Sequence, residues 1–81
     1  MYYVYILRCA DSSYYTGITN RLQHRLDMHN KGKASHYTAS RRPVAIIYKE
    51  EQPDKSAALK REYQIKQLSR EEKIALVKSG Q

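Results

Sequence analysis

The run Tyr2-Tyr3-Val4-Tyr5-Ile6-Leu7-Arg8 carries aromatic, β-branched or aliphatic side chains at both alternating positions up to Leu7. Successive residues of a strand point to opposite faces of a sheet, so this segment must be covered on both sides, as a central strand is. A chain of 81 residues has little material to do this with. A protein of that size buries about 60–65% of the surface its unfolded chain exposes. We therefore expect one small domain over residues 1–81, with an open surface or shallow groove rather than a deep cavity, and hence a large ligand such as a polymer.

The rest of the sheet follows from turn chemistry and β propensity. Cys9-Ala10-Asp11-Ser12-Ser13 is turn-forming, and Tyr14–Thr19 resumes strand character, so the two runs predict a hairpin. Period-2 geometry places Tyr3, Tyr5 and Leu7 on one face of the first strand and Tyr15, Gly17 and Thr19 on one face of the second, where Tyr5 and Tyr15 could meet. Asn20 is suited to cap a helix from about Arg21, with Leu22 and Leu26 as its apolar stripe and Gly32 as its stop. Arg21, Arg25 and His29 then lie at i, i+4 and i+8 beside that stripe. The polar stretch from Lys33 to Arg42 is expected to be a loop, followed by a largely buried strand Val44–Tyr48. Asp54 opens a helix running to about Leu68, with Ala58, Leu59, Ile65 and Leu68 facing inward. Ser69-Arg70-Glu71-Glu72 is a capping box for a last helix carrying Ile74, Ala75 and Val77. The fold class is α+β, a three-stranded mainly antiparallel sheet flanked by helices in the order ββαβαα.

Fifteen Lys and Arg against eight Asp and Glu give a formal charge of +7, which favours an anionic partner, nucleic acid foremost. All eight aromatic residues are tyrosines, so the core must be built partly from rings whose hydroxyls need a partner or solvent. Cys9 is the only cysteine. It excludes an internal disulfide and a thiolate zinc cluster, and it fits a reducing cytoplasm. No segment approaches the ~18 apolar residues of a membrane span, and Met1-Tyr2-Tyr3-Val4 lacks the features of a signal peptide.

Glu62 differs from most of the other acidic residues. Asp11, Asp54, Glu50, Glu51, Glu71 and Glu72 fall in turns, caps or strand ends, whereas helical spacing surrounds Glu62 with Ala58, Leu59 and Ile65. A carboxylate on that face needs a cationic partner, such as Lys66 or Arg25, or a metal ion. A single carboxylate can serve Mg²⁺, which keeps several waters and takes a substrate phosphate. Lys33, Arg41 and Arg42, with Tyr37 between them, could follow a phosphate backbone and stack on a base.

Tyr3-Val4-Tyr5, then Tyr15-Thr16-Gly17, then Arg25, His29 and a later helical Glu62 resemble the GIY-YIG endonuclease superfamily, particularly its small stand-alone bacterial members. The resemblance extends over Arg25–Asn30 and Arg41-Arg42-Pro43, nearly the whole chain. It implies a catalytic set of Tyr5, Tyr15, Arg25, His29 and Glu62. In that set Tyr5 deprotonates or orients the attacking water, with its pKa lowered by Arg25 and a metal. Tyr15 lines the site, Arg25 stabilises charge on the phosphate and His29 assists proton transfer or phosphate binding. Glu62 holds Mg²⁺ or Mn²⁺. Gly17, Lys33, Tyr37, Arg41 and Arg42 would contact DNA, Gly17 by letting backbone or phosphate approach closely. The chain departs from the pattern at Tyr3 and Val4, which replace glycine and isoleucine, and at Ile18, where some members carry a lysine. Its only asparagines are Asn20 and Asn30, so a late asparagine found in several members has no counterpart.

The resemblance thus implies a metal-dependent DNA endonuclease of repair or processing, cytoplasmic, with RNA also a conceivable substrate. Because the family often appends a separate DNA-binding region, affinity here would come from the module itself, a homodimer or a separate protein. The alternatives are a non-catalytic nucleic-acid-binding module that keeps the fold and a basic ribosome- or protein-associated factor.

Overall fold

The computed structural model describes residues 1–80. The elements are β1 (Tyr2–Arg8), β2 (Tyr14–Thr19), α1 (Leu22–Asn30), α2 (His36–Ala39), β3 (Ala45–Gln52), α3 (Lys55–Lys66) and α4 (Arg70–Ser79). The three strands form one antiparallel sheet in the order β2-β1-β3, so the run that is apolar on both faces is the central strand. Val4, Ile6 and Leu7 are fully buried and Tyr5 is 3% exposed.

Each face of β1 has its own core. Val4 and Ile6 pack with Ala58 and Ile65 of α3 and Val77 of α4. Tyr5 and Leu7 pack on the other face with Cys9, Val44, Tyr15 and the α1 residues Leu22 and Leu26. Directly opposed antiparallel residues share a face, and the pairs Tyr5↔Gly17 and Leu7↔Tyr15 bring both motif tyrosines to the α1 side.

The helix ends differ in how well local chemistry foretold them. Arg21, not Asn20, occupies the N-cap of α1 and makes no side-chain cap; its N–H instead donates to Thr19 Oγ1 at 3.0 Å. At the other end Gly32, with φ of 76°, closes a Schellman motif in which Lys33 N–H donates to the Met28 carbonyl and Gly32 N–H to that of His29, both at 3.0 Å. Asp54 caps α3 by accepting from Ala57 N–H at 2.8 Å, and the Ser69–Glu72 capping box is complete at α4.

Four expectations are corrected. The segment expected to be loop contains the single turn α2, nucleated by Ser35, whose Oγ accepts from Thr38 N–H at 3.2 Å. The strand expected to be largely buried runs on to Gln52 and is mostly half-buried, because β3 is an edge with no partner beyond it. Leu59, expected to face inward, is 46% exposed, since Ala58 and Ile65 take the core positions on α3. Glu50 is no ordinary surface residue. It accepts from Tyr48 Oη at 2.5 Å and from Arg61 Nε at 2.6 Å, with its side chain 20% exposed, and so ties α3 to β3. That tie holds the helix that carries Glu62.

Candidate active site

The site is built around His29. Leu22, Leu26 and His29 fall at i, i+4 and i+7 of α1, so His29 prolongs the apolar stripe and is carried into the core at 1% exposure. A buried imidazole needs partners for both nitrogens, and two are present. Tyr5 Oη lies 2.9 Å from Nε2 and Thr38 Oγ1 lies 2.7 Å from Nδ1. The Tyr5 ring meets the imidazole edge-on, as does the ring of Tyr15 at a centroid distance of 5.2 Å.

Outward from His29 the aromatic contacts continue. Tyr15 stacks on Tyr37 of α2 with centroids 6.0 Å apart, and the Arg41 guanidinium lies 3.9 Å from the centroid of the Tyr37 ring. Arg41 also donates to Asp11 Oδ2 at 3.1 Å and to the Tyr37 carbonyl at 2.9 Å, while Arg42 donates to the Ala39 carbonyl at 2.8 Å. The ring of Tyr37 and both guanidinium groups, expected on sequence to be offered to DNA, are therefore already engaged in fixing the segment after α1. Lys33 is exposed. Each arginine keeps N–H groups beyond those used in these bonds.

Gly17 lies directly against the Tyr5 side chain. A Cβ there would stand 2.5 Å from the Tyr5 hydroxyl oxygen and 2.7 Å from the carbon that bears it. The missing side chain makes room for Tyr5 itself, so that its hydroxyl can reach His29. Gly17→Ala should force the Tyr5 ring aside, lower stability by about 1–3 kcal/mol as overpacking does, and break the Tyr5–His29 bond. Denaturant unfolding checks the first effect, and the Tyr5 hydroxyl proton resonance checks the second.

The electrostatics show which charges converge here. Burial pushes the pKa of Tyr5 far above that of an ordinary phenol; the nearby Tyr15 adds to the rise, Arg25 opposes it and Glu62 adds to it again. The expectation that Arg25 lowers the Tyr5 pKa is corrected in its outcome: Arg25 acts in that direction, but desolvation outweighs it. Tyr5 is a neutral phenol. His29 is held below the ordinary imidazole pKa, first by burial and then by Arg25. A neutral imidazole therefore faces a neutral phenol, with Tyr15, Arg25 and Glu62 all close enough to act on that pair.

Glu62 has a half-buried side chain, 19% exposed, paired with Lys66 at 3.4 Å across one helical turn. Of the two cations considered from sequence, Lys66 is the partner. Among the described residues no three His, Cys, Asp or Glu side chains cluster to enclose a metal. A lone carboxylate fits a hydrated Mg²⁺ or Mn²⁺ whose remaining ligands are waters and a substrate phosphate, because Mg²⁺ dehydrates reluctantly and is rarely caged by protein alone.

The chain matches the family model of the GIY-YIG catalytic domain over residues 1–75. It belongs to the GIY-YIG family. Similar relatives are small bacterial UPF0213 proteins: one from Oceanobacillus iheyensis is 53% identical over 94% of this chain and 88% of its own. Another, from Staphylococcus haemolyticus, is 46% identical over 94% of this chain and 93% of its own. The solution structure of the UPF0213 protein BH0048 from Bacillus halodurans is 42% identical and superposes with a TM-score of 0.62, covering 96% of this chain and 84% of that one. Tyr5, Tyr15 and His29 are in direct contact, Arg25 and Glu62 are near enough for their charges to act on Tyr5, and Gly17 lies beneath Tyr5. Sequence reasoning missed Thr38, the buried partner of His29 Nδ1. Its signal was the Ser35 to Thr38 spacing of a capped helical turn.

Proposed function

We propose that this protein is a metal-dependent DNA endonuclease, hydrolysing phosphodiester bonds in repair or processing. It belongs to a family of nucleases that act on DNA and generally use divalent metals. The observation that carries the reading is the buried Tyr5–His29 hydrogen bond, with the charges of Arg25 and Glu62 acting on its phenol. A neutral phenol is a poor base alone, since even its ordinary pKa is 10.0. Coupled to a neutral imidazole it can relay a proton. As a water oxygen attacks phosphorus and the bond from phosphorus to the departing sugar oxygen breaks, the water proton passes to Tyr5 Oη and the Tyr5 proton to His29 Nε2, leaving an imidazolium and no free phenolate, while the departing sugar oxygen is protonated by solvent. Arg25 neutralises charge that develops on the phosphate oxygens. Glu62 would hold the divalent ion, which supplies Lewis-acid stabilisation to the same phosphate. Tyr15, half-buried beside His29, lines the approach, and Lys33 with the spare donors of Arg41 and Arg42 takes the flanking backbone.

The test incubates purified protein with single-stranded, nicked and branched DNA in Mg²⁺ or Mn²⁺. Cleavage of at least one substrate, abolished by chelator, is expected. Salt-sensitive DNA binding without turnover under all these conditions would replace the reading with a non-catalytic binding module.

A further inference from the structure

We propose that Thr38 is a positioning residue that fixes His29 with its proton on Nδ1, so that Nε2 stands as an acceptor facing Tyr5. The inference rests on reading His29 as the proton acceptor of the site, and it is carried by the bonds on the far side of the ring. Thr38 is fully buried and its Oγ1 lies 2.7 Å from His29 Nδ1. On its other side Oγ1 has acceptors for its own hydroxyl hydrogen, the carbonyl oxygen and Oγ of Ser35, both 3.4 Å away. A carbonyl only accepts, so with its hydrogen given to Ser35 the Thr38 oxygen is free to accept from Nδ1–H, the direction we assign. The direction of the whole chain follows: Tyr5 O–H donates to Nε2, Nδ1–H donates to Thr38, and Thr38 O–H donates to Ser35. The reverse direction would put Nε2–H against the Tyr5 oxygen and leave the phenol hydrogen with no protein acceptor among the described residues.

The placement of Thr38 depends on α2. Ser35 caps that turn through Thr38 N–H, and the turn is braced by Arg42 donating to the Ala39 carbonyl and Arg41 to that of Tyr37. The segment after α1 thus acts on the site through the imidazole without touching the reacting atoms. Orientation of a ring nitrogen by the bond its other nitrogen makes is a general means of setting imidazole chemistry.

Long-range ¹H–¹⁵N NMR of His29, recorded above the pH range in which the imidazole titrates, reads the tautomer directly and needs no substrate. Wild type and Thr38→Ser should show Nδ1 as pyrrole-type and Nε2 as pyridine-type, whereas Thr38→Val should lose that pattern and place protons on Nε2. In Tyr5→Phe, where Nε2 loses its donor but Thr38 remains, the Nδ1–H pattern should persist. A pyrrole-type Nε2 in wild type, an unchanged tautomer in folded Thr38→Val, or a switch in Tyr5→Phe would each overturn the proposal. DNA cleavage should fall about 10- to 100-fold in Thr38→Val and return in Thr38→Ser. A protein that cleaves no DNA yet shows the expected tautomers removes the nuclease reading and supports this one; an active nuclease with the opposite tautomer does the reverse.

Discussion

Glu62→Gln should reduce metal-dependent DNA cleavage by about 10²- to 10³-fold while leaving the fold intact, a loss of the size seen when one electrostatic contributor to a transition state is removed. Structural cost is small. The ion pair it breaks joins a half-buried carboxylate to a half-exposed Lys66, and such a pair contributes about 0–1 kcal/mol. Glutamine keeps the shape, so unfolding midpoints should move by little. The sign of the electrostatics separates two explanations for the lost rate. The Glu62 anion raises the pKa of Tyr5, so it opposes, rather than assists, loss of the phenol proton. If tuning Tyr5 were its role, the Gln variant would cleave at least as fast as wild type. A steep loss therefore points to the cation that the carboxylate holds. Cleavage rate against Mg²⁺ and Mn²⁺ concentration decides between them: the metal role requires a shifted or abolished metal dependence. Unaltered cleavage in Glu62→Gln would remove Glu62 from the site.

How much of this arrangement could be seen in the chain differs from residue to residue. The hairpin, its central strand and the shared face of Tyr5 and Tyr15 were legible because each follows from local alternation and a single turn, whereas the register Tyr5↔Gly17 came only with the structure. The burial of His29 was partly legible. Its i+7 spacing from Leu22 lay in the sequence, but a charged-capable side chain beside Arg25 was read as part of the polar border. Thr38 was hidden because a four-residue helix has no periodicity to detect and its partner is nine residues away. Glu50 was misjudged for a similar reason: its partner Arg61 lies on another element, and only the assembled β3–α3 contact makes the carboxylate half-buried. The direction of the Tyr5 pKa could not be read at all. It is a contest between desolvation, which raises it, and Arg25, which lowers it, and the winner depends on how completely the strand face is covered.

Tyr5→Phe should lower cleavage by about 10²- to 10⁴-fold, the usual contribution of a positioned proton-transfer group, and should also destabilise the protein by about 1–3 kcal/mol because His29 Nε2 is left buried without its donor. The pH behaviour of the wild type gives this pair its signature. The folded-state pKa of His29 is lowered from its ordinary 6.5, so between that lower value and about 6.5 the unfolded chain binds the proton that the folded protein excludes. The stability this group contributes is fully present above 6.5 and is lost as pH falls towards and through the folded pKa. Tyr5 is shifted upward from 10.0, so its contribution is fully present below 10 and is lost as pH rises beyond it. Stability from the pair is thus level between those limits, and cleavage should share the acidic edge, because only a neutral imidazole can receive the relayed proton. In Tyr5→Phe the alkaline loss of stability at this site should vanish while the acidic one remains. Urea unfolding across the pH range, paired with cleavage rates, measures both. A cleavage rate that climbs about tenfold per pH unit throughout the approach to pH 10, with no acidic edge from His29, would instead mark a free phenolate as the base and dissolve the relay.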